Sequence, residues 1–102
     1  MTETKELSVL GIGEAFPERV FLLHHPASKK YGCYCHQTIH GLACFSTEAR
    51  AFRFSEWLDL GGMVAEEVAF DEARDIAKER PLPIVSLMLL DSLEKPQIHY
   101  VR

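Results

Sequence analysis

Short apolar blocks separated by polar breaks run along the chain from Val20 onward, and their period changes with position. Val20-Phe-Leu-Leu-His-His25, closed by Pro26, is too short for a helix and suits a strand with side chains directed to both faces. Tyr31-Gly-Cys-Tyr-Cys-His36 and Leu42-Ala-Cys-Phe45 have the same character, and the polar residues between them predict a hairpin. A four-residue loop over Gln37 to His40 sets Cys33 opposite Cys44 and Cys35 opposite Leu42, with Tyr31 on that face. Gly32, Tyr34, Ala43 and Phe45 then occupy the other face.

The period lengthens after Ser46, an expected N-cap. Residues 47–58 predict a helix with Ala51, Phe54 and Leu58 in one stripe and Trp57 beside it, stopped by Gly61-Gly62. Phe52 falls away from that stripe, among Glu48, Glu56 and Asp59. Residues 63–69 predict a strand and 71–80 a helix burying Ala73, Ile76 and Ala77, ended by Pro81 and Pro83; Leu82 to Leu90 suits either a helix with Pro83 in its first turn or a buried strand, and strand over 84–90 is the preferred reading. These three form a βαβ unit with parallel strands. Residues 97–101 predict a last strand at an edge, and residues 1–18 a loosely attached arm. The expected architecture is α+β: a two-layer domain with a mixed sheet of about five strands and two helices.

The length bounds this picture, because 102 residues hold one domain and too little for two. Eleven Lys and Arg against 15 Asp and Glu give a net charge of −4, the opposite of a phosphate-tracking surface, so nucleic acid is not an expected partner. The longest apolar stretch, Ile84 to Leu90, is far too short to cross a bilayer, and Met1 to Leu7 lacks a basic-then-apolar leader. The expectation is a protein of the cytoplasm without membrane contact. Three cysteines, an odd number in a domain able to fold unaided, predict reduced thiols.

Candidate chemistry concentrates in Cys33-Tyr-Cys-His36-Gln-Thr-Ile-His40-Gly-Leu-Ala-Cys44. Thiolate and imidazole are the ligands zinc accepts, and Cys33, Cys35, His40 and Cys44 are the set that could share one ion. The spacing is not that of a small zinc motif, and strand alternation accounts for all three thiols as packed apolar groups, the favoured reading. Cys44, just ahead of the helix start, is the candidate nucleophile for a thiol-dependent enzyme, although no orienting third group is identifiable.

His24 and His25 point to opposite sides of a strand and cannot both hold one ion, and His99 is weaker still as a candidate. Gly11-Ile-Gly-Glu-Ala-Phe16 places Phe where a dinucleotide fingerprint needs its third glycine, so no cofactor is expected. Glu66, Glu67, Asp71, Glu72, Asp75 and Glu79 read as solvated charge.

Several strands carry apolar residues on both sides, which two helices on one face would leave half uncovered. The function expected on that basis is a non-enzymatic protein-interaction module acting as a homo-oligomer, with Phe52, Tyr34 and Phe45 as contact residues. A Cys/His zinc protein is the alternative.

Overall fold

Strands that are apolar on both sides need cover on both sides, and the chain supplies one helix for each. The computed structural model describes residues 16–58 and 61–102. Among these residues the strands are β1 (Arg19–His25), β2 (Lys30–Tyr31), β3 (Cys33–His36), β4 (Ile39–Phe45), β5 (Val64–Ala69), β6 (Ile84–Leu89) and β7 (Gln97–Tyr100). The helices are α1 (Glu48–Trp57) and α2 (Phe70–Glu79). Most of the expected N-terminal arm, with Gly11 and Gly13, lies outside the described residues.

All seven strands join one mixed sheet, so the α+β class holds with more strands than expected. β1 pairs antiparallel with β5 and with β4, β4 pairs parallel with β6, and β6 pairs antiparallel with β7. β5 and β6 therefore run in the same direction, as expected of the two strands joined through α2, but β1 and β4 lie between them.

Alternate residues of the strands enter two separate cores. Val20 and Leu22 of β1, Leu42 and Cys44 of β4, and Leu87 and Leu89 of β6 pack with Ala73 and Ala77 of α2. Leu23, Ala43, Phe45 and Met88 pack instead with Ala51 and Phe54 of α1. The helices thus cover opposite faces, correcting the expectation that both lie on one. The double-sided apolar strands are explained within a single chain, and the argument that a partner must cover a bare face falls.

The hairpin register also differs. Gln37 (φ 51°) and Thr38 (φ 69°) both adopt left-handed conformations, making a two-residue turn in place of the expected four-residue loop. Cys33 accordingly pairs with Leu42 and Cys35 with His40. The slip is two residues, so each side chain keeps its predicted face. Gly41, expected beside the loop, lies in β4, where an added Cβ would come within 2.6 Å of Ser86 Oγ and 3.0 Å of Met88 Cβ.

Residues 30–36 do not form one strand. β1 and β4 are paired at Phe21–Phe45 and Leu22–Cys44 and then diverge, with β2 following β1 and β3 following β4. Gly32 sits at the fork, donating its N–H to Leu23 O (2.8 Å) and accepting from Ala43 N (3.0 Å).

Helix α1 starts one residue later than expected. Thr47 is its N-cap, with the hydroxyl accepting from Arg50 N at 3.2 Å, while Ser46 N–H donates to Asp91 Oδ1 at 3.0 Å. Ala51 and Phe54 are buried as expected, but Leu58, at the C-cap where the helix leaves the sheet, is 39% exposed. At the other helix, Arg102 closes the end of α2 by donating to the carbonyls of Lys78 and Ile84 and, at 2.6 Å, to that of Arg80.

Candidate functional site

The two adjacent parallel strands, β4 and β6, end side by side at Phe45 and Leu89, and their onward connections separate there. From β4 the chain turns into α1 and returns to β5, whereas from β6 it passes through residues 90–96 to β7 at the opposite edge. A crevice opens where connections leave neighbouring parallel strands in different directions, the usual place for ligands on such sheets. Here it is a groove of about 300 Å³.

Phe45, Phe54, Leu90 and Leu93 supply its apolar surface. Phe45 and Phe54 stack at a tilt with centroids 5.2 Å apart, and Trp57 continues the aromatic row 6.1 Å beyond Phe54. Arg50, Arg53 and Asp91 complete the lining. Arg50, Arg53, Phe54 and Trp57 fall on one flank of α1 because they are spaced three or four residues apart.

The charges are unequal in their engagement. Asp91 ties the strand ends together: its carboxylate accepts from Ser46 N–H and its backbone carbonyl accepts from Arg50 Nη1 at 3.1 Å. Among the described residues Arg53 has neither a carboxylate nor a hydrogen-bond partner.

The contact residues expected from the sequence are placed very differently. Phe52 is 46% exposed on the other flank of α1, away from the groove. Tyr34 is half-buried with its ring 5.7 Å from that of Phe54, and Phe45 is buried at the groove floor. Trp57, treated in the sequence as a flank of the core stripe, is 62% exposed. The signal for it was its spacing from Arg50 and Arg53.

Cys33, Cys35, His40 and Cys44 share one face of the sheet, but among the described residues no three His, Cys, Asp or Glu side chains converge into a metal-holding group. The packed-thiol expectation holds for Cys44 alone. Cys33 and Cys35 are exposed, because β3 lies in the fork beside β4, whose far half is the part roofed by α2. All three thiols are free.

Burial pushes the Cys44 thiol up to about 12, offset only in part by a hydrogen bond from the Met88 backbone, so this group is neutral and sequestered rather than nucleophilic. Cys33, although its residue is exposed, is also raised by partial desolvation of the thiol among its neighbours, with Arg80 working against the shift.

Three of the five histidines have structural contacts through their rings. His24 stacks on Tyr31 with centroids 4.8 Å apart and has Nδ1 3.8 Å from Glu66 Oε1. His25 Nδ1 accepts from Ser28 N–H at 3.2 Å, closing the turn after β1. His99 meets Phe16 and Phe70 edge-on, and burial, followed by the charge of Arg74, lowers its pKa. Glu67 pairs with Arg19 at 3.2 Å and Asp71 with Arg74 at 3.5 Å, consistent with solvated charge.

Among the described residues no helix is long and apolar enough to cross a membrane. Comparison with protein-family models, curated proteins and solved structures finds no match to this chain.

Proposed function

We propose that this protein is a non-enzymatic protein-interaction module, that α1 is its recognition element, and that it works as a homo-oligomer in the cytoplasm. The observation that carries the reading is the surface of α1: one short helix presents Phe52 and Trp57, 46% and 62% exposed, on opposite flanks of its buried stripe. Large aromatic side chains left in water on a well-packed helix are the residues most enriched at protein contacts.

Phe52 serves self-association in this reading. With both sheet faces carrying a helix, the helix exterior replaces the bare sheet as the contact surface. The acidic pair Glu66 and Glu67 at the centre of edge strand β5 opposes pairing of two copies through that edge, since an antiparallel self-match sets like charges side by side.

Light scattering over a range of concentrations tests this. The expected result is a mass above that of one chain at micromolar concentration, returning to one chain in Phe52→Asp with an unchanged circular dichroism spectrum. A monomer at every concentration removes self-association from the reading.

A further inference from the structure

The groove on the opposite flank of α1 has a composition that points to one kind of occupant. Its floor is apolar and aromatic, its rim on α1 carries Arg50 and Arg53, and Asp91, the acidic group in the lining, is already bonded to Ser46 N–H. Two guanidiniums against one engaged carboxylate leave an excess of positive charge in a protein of net charge −4. Arg53 in particular has no partner among the described residues.

We propose that this groove binds a partner protein through a short extended segment in which one large apolar side chain lies between two acidic residues. The inference rests on the interaction-module reading and adds the partner's chemistry to it. Strand alternation directs the apolar side chain to the floor and both neighbours toward the rim. Those neighbours stand roughly 6.6 Å apart along an extended chain, close to the roughly 5–6 Å separating side chains one helical turn apart, as Arg50 and Arg53 are.

Arginine forks hold carboxylates bidentately, which supplies orientation as well as attraction. A groove of about 300 Å³ has room for one large anchoring side chain, which a short extended segment can supply.

Trp57, the sole tryptophan, borders the groove and reports on it directly. The full chain is titrated with the peptide acetyl-Ser-Glu-Phe-Glu-Leu-Ser-amide, and Trp57 fluorescence is followed. The expected result is a saturable change that weakens as salt is raised, is absent with the peptide carrying lysine in place of both glutamates, and weakens by about tenfold or more in Arg53→Glu. Arg53→Lys retains part of the affinity and Leu93→Glu removes it, while thermal melts confirm that each variant is folded.

Equal binding of the acidic and basic peptides, or indifference to Arg53→Glu, overturns the proposal. So does binding of free N-acetyl-phenylalanine as tight as that of the peptide, which makes the groove a small-molecule site. If the peptide fails while Phe52→Asp still dissociates an oligomer, the acidic-partner inference is lost and the interaction-module reading stands.

Discussion

Phe52 and Phe54 are two residues apart in one helix and have opposite fates. Phe54 touches Tyr34, Phe45 and Trp57, and its truncation to alanine opens a cavity at the centre of the α1 core, with an expected cost of about 3–5 kcal/mol in denaturant unfolding. Phe52→Ala is expected to cost less than about 1 kcal/mol in the monomer, because most of what it removes already lies in water.

The cysteines separate in the same way. In the native protein two thiols are expected to react with a thiol reagent and the third only on unfolding; mass mapping should identify the slow one as Cys44. The rate profile of Cys33 should lie toward higher pH than that of an unperturbed thiol, since partial desolvation disfavours its thiolate although the residue is accessible. Fast labelling of Cys44 in the folded state would show that α2 does not close over it.

His99 gives the chain a pH dependence with a definite sign. Its pKa is lower folded than unfolded, so the unfolded state takes up the proton first. Stability contributed by the neutral ring is complete above the ordinary histidine range, and it is lost as pH falls through that range toward the lowered folded value. Replacing His99 with glutamine should flatten this part of the stability curve, and an unchanged curve would assign the effect elsewhere.

At the scale of elements, the turn between β3 and β4 is strained by its own residues. Thr38 is β-branched and sits at φ 69°, a conformation that glycine adopts without penalty. Thr38→Gly is therefore expected to stabilise the protein by on the order of 1 kcal/mol, raising the denaturant midpoint at unchanged slope. That same strain explains why the turn was illegible in the sequence: Gln37-Thr38 lacks the Asn-Gly signature of a two-residue hairpin, and Gly41 offered a more conventional place for a loop.

β1 and both helices were legible from apolar spacing, whereas the continuous apolar run that became β6 fits a buried helix as well as a strand until its pairing with β4 and β7 decides it. The side-chain faces of the hairpin survived its wrong register because the error was even. What spacing could not carry was the assignment of helices to sheet faces, which depends on strand order. β1 and β4 sit between β5 and β6 through contacts remote in sequence, and no local pattern announces that insertion.

The candidate groove was illegible for the same reason. Leu90 and Leu93 read as a strand end and a loop until β6 is laid against β4. Trp57, by contrast, already flanked the apolar stripe of a predicted helix, and the spacing of Arg50 and Arg53 puts them on its side.

For the whole molecule, the division of the helices between faces changes which surfaces remain for partners. Association should depend on α1 and be insensitive to substitutions on the outer face of α2. Glu72→Lys and Glu79→Lys, on the exposed side of that helix, are expected to leave the light-scattering mass unchanged; dissociation by either would move the interface to the α2 side.

The position of β6 also bears on how the chain reaches this state. Its residues are paired on both edges, to β4 and to β7, yet they come late in the sequence; Ser86 Oγ bonds to the His40 carbonyl 46 residues earlier. During synthesis the first hairpin and α1 emerge with one side of β4 still unpaired, and the Leu42-Ala-Cys-Phe45 stretch waits there for its neighbour. A nascent chain arrested before residue 84 would display an open, apolar strand edge, the kind that recruits other chains. Full-length protein made slowly through residues 70–90 should accordingly lose more material to aggregates than protein made at normal speed, while the released, completed fold is equally soluble in both cases.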